Sequence, residues 1–454
     1  VSAIATDASV IVDVPSMRRR VWALAWPVIG ENFLQTMLGI VDMILVASLG
    51  AAALAGVGSA QQIMFFVIAA LSALSVGSSV LVAQAVGAQT WADANHFAQQ
   101  SLLWSVIIGV PFAVAGVFLS DEIIAVFGME PDVARIGTEY LQVTMGTAVV
   151  LTAFTIGSGV LRGANDSRTP MLVTALANVI NIGLTYFGKF GFPALGAVGS
   201  AWATFLARLL ALTLLVIVLW RGRNGVTIRG FTGWRPNLGI ARRLLGVGVP
   251  AAVEQLMISA GFLVQTIVVA QLGTPTLAAH RILFNALALS FLPGVGFGLA
   301  ATSLVGQYVG SRQWAQSRAA GLIATQWAIL WMGTMGMLLA VFARFVVGLY
   351  SEDPTVLAIG INGMRVLAPT QPVWAIILVQ SGALRGTGNT RFPLWVNTVG
   401  VWCAVVIGAL LTYALDGGLV MIWSAFLLTG IGAALALWRR FQYTVAHDMA
   451  PAAL

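Results

Sequence analysis

The sequence predicts an all-α polytopic membrane protein with twelve transmembrane helices in two parallel six-helix repeats. Three observations predict it. The chain is strongly apolar, it divides into twelve hydrophobic runs, and a shift of 223 positions lays the second six runs on the first six. Of its 454 residues, 59% are hydrophobic and 9% charged, with a mean hydropathy of +0.92. That composition excludes an ordinary soluble protein. The formal charge of +7 does not point to nucleic acid, because the basic residues recur between alternate runs and form no single basic stretch.

The runs fall near 21–47, 54–85, 95–119, 133–158, 169–189 and 195–220, then 243–270, 278–307, 317–343, 356–382, 392–413 and 418–438. Each is long enough to cross a hydrocarbon core, which takes roughly 20 residues. Six runs is an even number, so both halves enter the membrane in the same direction, as parallel repeats do. Pro27 falls on Pro250, Glu31 on Glu254, Gln84 on Gln307 and Trp91 on Trp314. Gly159-Val-Leu-Arg162-Gly163 falls on Gly382-Ala-Leu-Arg385-Gly386, and Arg168-Thr-Pro170 on Arg391-Phe-Pro393.

Orientation follows from the arginines. Arg18 to Arg20, Arg162, Arg168, Arg312, Arg318, Arg385, Arg391, Arg439 and Arg440 share one side with the basic 221–242 segment. Asp121, Glu122, Glu130, Asp132, Glu352, Asp353 and Asp416 lie opposite, with Lys189 as an exception. The positive-inside rule then makes both termini and the linker cytoplasmic. The expected divisions are a tail at 1–20, an N-lobe at 21–220, a linker at 221–242, a C-lobe at 243–440 and a tail at 441–454. No cleavable signal peptide is evident before the first run.

Each span carries a local signal. Pro27 and Pro250 each remove a backbone hydrogen bond inside an apolar run, permitting a bend. Arg162 and Arg385 suit helix ends, where they offset the dipole; Gly163 and Gly386 suit C-caps, and Pro170 and Pro393 the next first turn. Glu31, Asp42 and Glu254 are acids inside spans, where each costs roughly 2.5–3.5 kcal/mol even on permissive insertion scales. Glu31, Gln35, Leu38 and Asp42 share a helical face, with the two acids about 16 Å apart along the axis. Asn178, Asn181 and Thr185 line one face of the fifth span. Met64, Phe65, Phe66, Phe33 and Trp374 suit either an aromatic cavity or plain packing. His280 and Arg281 open the eighth span, where a helix-end structural role is expected. Cys403 is the only cysteine, and His96, His280 and His447 make no metal pattern.

The repeated Leu-Arg-Gly…Arg-x-Pro motif resembles that of the multidrug and toxic compound extrusion (MATE) family. So do Pro27…Val41-Asp42, Gln84-x-x-Gly87 and Leu272-Gly273…Leu277-Ala-Ala-His280. The resemblance spans nearly all of residues 18–440. It implies a MATE-like fold of two six-helix lobes around a central cavity, and export of organic cations or drugs driven by inward H⁺ or Na⁺. It also implies a cation-coupling site at Asp42 with Asn178, Asn181 and Thr185, the last standing where the family often carries Asp or Asn. The repeat partner of Asp42 is Gln265, and two acids of the NorM branch are replaced by Ile258 and Trp374. These losses favour the DinF-like branch, coupling in the N-lobe, and H⁺ over Na⁺. Glu31, Gln35, Glu254 and Gln265 are the expected substrate-binding or gating residues.

The expectation is therefore a secondary antiporter working by alternating access: a monomer in the plasma membrane, embedded in the lipid bilayer, with no cofactor, no bound metal and no catalytic residue. The bacterial inner membrane is the expected setting. A lipid-linked precursor flippase of the same superfamily is the alternative, but it would favour an Arg-rich cavity, and Arg208 is the one basic residue near mid-span. A membrane prenyl transferase would need clustered Asp motifs for Mg²⁺-diphosphate, and direct ATP coupling a Walker A sequence; neither occurs.

Overall fold

The computed structural model describes residues 13–187, 196–230, 232–415 and 417–448; Asp7, Lys189 and Asp416 lie outside them. The first repeat is α1 (Val14–Ala47), α2 (Ala51–Gly87), α3 (Trp91–Phe118), α4 (Ser120–Ala125), α5 (Pro131–Gly146), α6 (Ala148–Gly163), α7 (Arg168–Phe187) and α8 (Ala197–Arg221). The second is α9 (Leu238–Ala270), α10 (Thr274–Gly310), α11 (Trp314–Val341), α12 (Ala343–Gly348), α13 (Pro354–Leu367), α14 (Thr370–Gly386), α15 (Arg391–Leu415) and α16 (Gly418–Tyr443). The 223-residue shift carries α2, α3 and α4 onto α10, α11 and α12 end for end. Ten of the described helices are long and apolar enough to cross a membrane, and twelve spans result when α5–α6 and α13–α14 each count as one.

Those two pairs are the bent spans, each turning by 48°. Thr147 and Thr370 occupy the same repeat position at the bends. Their hydroxyls donate back to the carbonyls of Val143, at 2.8 Å, and Leu367, at 2.6 Å. Such back-bonding competes with the helical ladder, and Pro369 removes a further donor in the second pair. Pro27 and Pro250, by contrast, sit inside helices that run on through them.

Gly163 and Gly386 are not the C-caps that the sequence suggested. Each is the last helical residue, and the left-handed residues lie two positions on, at Asn165 (φ 65°) and Gly388 (φ 90°). The glycines serve close approach instead. A Cβ on Gly163 would lie 2.6 Å from the Ser79 carbonyl oxygen, and one on Gly386 2.6 Å from that of Thr302. Gly159 and Gly382, one turn earlier, meet backbone of Ser75 and Gly298 in the same way. Each Gly-x-x-x-Gly therefore packs the second half of a bent span against α2 or α10, as small residues do between membrane helices.

The chain forms two compact units, residues 30–252 and residues 1–29 with 253–454. The cuts fall inside α1 and α9, two residues after each proline, rather than in the linker. Met17, Val21, Leu24 and Ala25 make one buried stripe on early α1 and join the core formed by α9 to α16. Ile240, Ala241 and Leu244 on early α9 join the core of α2, α3 and α6 to α8.

The linker is an ordered strap on the first repeat. Gln99 Nε2 donates to the carbonyls of Ile228, Arg229 and Gly230 (3.2, 3.0 and 3.4 Å). Gln100 Nε2 donates to those of Gly233 and Arg235 (2.6 and 2.7 Å), and its Oε1 accepts from the Asn237 amide at 3.0 Å. Both glutamines are buried on α3. Arg223 Nε lies 2.6 Å from Asp166 Oδ2, and the same carboxylate caps α7 by accepting from the amides of Arg168 and Thr169 (3.1 and 3.0 Å).

Gln100→Ala is expected to release this strap. Three hydrogen bonds at about 1 kcal/mol each predict roughly a hundredfold faster tryptic cleavage after Arg223 and Arg229, read by limited proteolysis. At Asp166, burial favours the neutral acid, but the hydrogen bonds from Thr169 and Arg223 outweigh it and hold the carboxyl below the ordinary aspartate value. A depressed folded-state value gives stability that is present above the unfolded pKa and lost as pH falls through the folded one. Acid titration of strap protection is therefore expected to show a loss below the ordinary aspartate range that Asp166→Asn does not show.

Candidate functional site

Asp42 lies near the C-terminal end of α1, a mostly apolar helix, and is 7% exposed. Ser200 Oγ on α8 donates a short hydrogen bond to its Oδ1. Tyr140 on α5 faces the same carboxyl, and Gln61 on α2 and Ser200 face the Tyr140 hydroxyl. Arg208 on α8 acts on both Asp42 and Tyr140 through its charge. Ser200, Thr204 and Arg208 are spaced by four, so one stripe of α8 presents two hydroxyls and a guanidinium. A long side chain on a helix leans toward the N-terminus, which carries the guanidinium of Arg208 back over that stripe.

The fifth-span residues expected around Asp42 are placed differently. Asn181 Nδ2 donates to Thr204 Oγ1 at 2.9 Å, one turn along α8 from Ser200. Asn178 Nδ2 donates to the Leu34 carbonyl at 2.7 Å, fastening α7 to α1. Thr185 is fully buried and its hydroxyl has no hydrogen-bond partner. None of the three bonds Asp42 directly; Asn181 is joined to it through the α8 stripe. Tyr140, Ser200 and Gln61 escaped the sequence reading, although Ser200, Thr204 and Arg208 repeat at helical spacing in an apolar span. Among the described residues, no group of three His, Cys, Asp or Glu side chains could hold a metal ion.

Glu31 and Glu254 each meet the arginine of a Leu-Arg-Gly motif. Arg162 Nη1 lies 3.0 Å from Glu31 Oε2, with Arg162 Nη2 3.4 Å from Ser75 Oγ. Arg385 Nη2 lies 2.7 Å from Glu254 Oε1, which also accepts from Asn397 Nδ2 at 2.6 Å. Asn397 Nδ2 further donates to Ser381 Oγ at 2.9 Å. Both pairs are 131 residues apart in sequence. The arginines thus close internal ion pairs as well as ending helices, which the sequence reading missed. Gln35 is exposed one turn beyond Glu31.

The second repeat has no copy of the Asp42 cluster. Gln265 takes the place of Asp42, and its amide is buried with neither nitrogen nor oxygen hydrogen-bonded. Trp423, Gly363, Phe284 and Ile431 stand where the first repeat has Ser200, Tyr140, Gln61 and Arg208. Phe284 and Trp423 pack together at 5.8 Å between ring centroids. His280 lies in the second turn of α10, not at its end; it is fully buried, with its ring 4.9 Å from that of Phe284 and both nitrogens unpartnered. Trp374 packs 6.0 Å from both Phe262 and Phe291, and lines a cleft with Phe426 and Asn397. Ile258 joins the same core. Met64 is buried, whereas Phe33, Phe65 and Phe66 are exposed.

Known proteins share this arrangement. The MatE family profile matches residues 27–187 and 250–410, once in each repeat. The probable multidrug resistance protein NorM of Thermotoga maritima is 33% identical over 398 residues, 86% of this chain and 85% of that protein. The protein of the same name from Burkholderia mallei is 33% identical over 395 residues, 84% of this chain and 82% of that protein. An outward-facing multidrug resistance MATE family transporter of the MOP superfamily has the same fold, with a TM-score of 0.87 at 23% identity over 95% of this chain and 96% of its own. So does a MOP superfamily transporter from Pyrococcus furiosus, described as having a binding pocket of reverse polarity (TM-score 0.85, 23% identity, 95% and 96% covered). Two profile matches in register with the 223-residue repeat, and a third of the residues shared across most of the chain, identify the protein as a member of the MatE family, a membrane transporter and not an enzyme.

Proposed function

We propose that the protein is a secondary multidrug antiporter, exporting amphipathic organic cations in exchange for inward H⁺ by alternating access, with Asp42 as the proton carrier. The observation that carries this reading is a buried, titratable carboxyl held by hydroxyl donors on a membrane-spanning helix. A carboxyl there can be neutral when protonated and a counter-charge for an organic cation when not. Proton and substrate then compete for one negative charge, and competition gives exchange. The NorM names of the relatives support a drug substrate. Asn181 and Thr204 extend the polar stripe on which a substrate's hydrogen-bonding groups would lie, while Glu31 and Glu254, each neutralised by an arginine, serve to fix and gate the helices rather than to hold the cation. The bilayer is the plasma membrane, with the arginine-rich ends and both termini on the cytoplasmic side.

The test is uptake of a fluorescent organic cation into proteoliposomes, with a pH gradient or a Na⁺ gradient imposed alone. The pH gradient is expected to drive uptake and the Na⁺ gradient to leave it at the level of empty liposomes. Uptake driven by Na⁺ alone would overturn the choice of H⁺.

A further inference from the structure

We propose that the linker strap is a docking surface for anionic phospholipid headgroups, whatever ion drives exchange at Asp42. Residues 221–243 carry six arginines, Arg221, Arg223, Arg229, Arg235, Arg242 and Arg243, and no acid. All six are exposed. Among the described residues only Arg223 of the six has a carboxylate partner, the buried Asp166 at 2.6 Å. The other five leave a large positive charge on one short segment, against the single exposed acid Asp93 in the first turn of α3. Like charges at this density repel one another unless a polyanion meets them.

Three features select a lipid surface as that polyanion. The first is position. The strap leaves α8 at Arg221 and enters α9 at Leu238, and both helices are long and apolar enough to cross a membrane. The chain itself therefore holds the arginines where headgroups lie. The second is the apolar flank. Trp220 is 47% exposed and Leu238 74% exposed, one at each end of the strap. Tryptophan favours the membrane interface, and an acidic soluble partner would answer the charge but leave both side chains in water. The third is preorganisation. Besides Gln99 and Gln100, Asn95 Oδ1 accepts from the Thr227 amide at 2.7 Å, and Asn224 Nδ2 donates to the Ala164 carbonyl at 2.9 Å. Arg229 Nε donates to the Trp220 carbonyl at 2.7 Å, and the Arg243 guanidinium lies 5.1 Å from the centre of the Phe97 ring. A strap fixed in this way loses little freedom when it binds. Guanidinium forks also match phosphate oxygens in pairs, which ammonium groups do not.

The experiment is amide hydrogen exchange of the full-length protein in nanodiscs of phosphatidylcholine, with or without phosphatidylglycerol, read on peptides that cover the strap. The variants are the triple Arg221→Gln, Arg235→Gln, Arg242→Gln and the same three positions changed to Lys. These side chains bond nothing else among the described residues, so the fold is expected to stand. Each basic residue near an anionic surface strengthens association about fivefold, so losing three costs roughly a hundredfold. Strap exchange in wild type and the Lys triple is expected to be at least about tenfold slower in the phosphatidylglycerol discs. The Gln triple is expected to exchange at one rate in both. Salt at about 1 M shortens the Debye length to about 3 Å and is expected to erase the wild-type difference. Equal wild-type rates in the two lipids overturn the proposal, and so does a Gln triple that keeps the slowing. Glycerol phosphate or polyglutamate added to phosphatidylcholine discs tests the other polyanions. Slowing by either that equals the effect of phosphatidylglycerol would assign the surface to a free phosphate or an acidic protein instead. If the Gln triple does not fold, the wild-type comparison of lipid with these two solutes decides alone.

Discussion

Asp42→Asn is expected to reduce pH-driven substrate uptake in proteoliposomes to the level of empty liposomes while leaving the protein folded. The reason is chemical. Asparagine keeps the size of the side chain and an oxygen that can accept from Ser200, but it carries no titratable proton and no charge. Proton and substrate cation then have no common site to exchange on. The fold is expected to survive, because the Ser200 hydrogen bond is retained and the difference between the two acceptors is about 1 kcal/mol. Thermal unfolding of the purified variant checks that half of the prediction. Glu31→Gln gives the contrast: that carboxylate is already paired with Arg162 at 3.0 Å, so its substitution is expected to lower stability more than it alters the ion that drives transport.

Arg385→Met is expected to cause the largest loss of stability. Glu254 is 1% exposed and is held by Arg385 at 2.7 Å and Asn397 at 2.6 Å. Its second oxygen has no partner. Removing the guanidinium leaves a buried carboxylate with one amide donor, and breaking one side of a buried pair costs about 3–5 kcal/mol. At roughly 2–4 °C per kcal/mol for a large domain, Tm is expected to fall by about 10 °C in a detergent melt. Adding Glu254→Gln to the same chain removes the stranded charge and is expected to recover much of that fall. A double variant as unstable as the single one would mean that Arg385 acts through the packing of its stem against α10, not through the ion pair.

The span count and register were legible because hydropathy and the 223-residue repeat report the same division, and the helices from α2 to α4 reproduce it to the residue in α10 to α12. The bends were half legible. Pro369 marks the second, whereas the threonine at the first, Thr147, looks in sequence like any other. The glycines of the Leu-Arg-Gly motif were visible but misassigned, since a C-cap and a close helix crossing both call for glycine and only the neighbour at 2.6 Å decides between them. Asp42 was legible as an unusual charge. Its surroundings were not, because Ser200, Tyr140, Gln61 and Arg208 arrive from three other helices and local periodicity says nothing about which helices meet. The Glu–Arg pairs left a signal that went unused: the same acid and the same base, 131 residues apart, in both halves. Gln99 and Gln100 carry no signal of their own in the sequence, and only the linker lying across them explains the two buried amides.

The central claim is that proton and substrate compete for Asp42, and proton release on substrate binding tests it most directly. A saturating organic cation is added to purified protein in weakly buffered detergent near neutral pH, and the released H⁺ is followed with an indicator dye. Wild type is expected to release protons with a saturable dependence on substrate, and Asp42→Asn, which stays folded, to release none. Substrate that binds wild type without releasing protons, or that releases them equally from Asp42→Asn, would contradict the account.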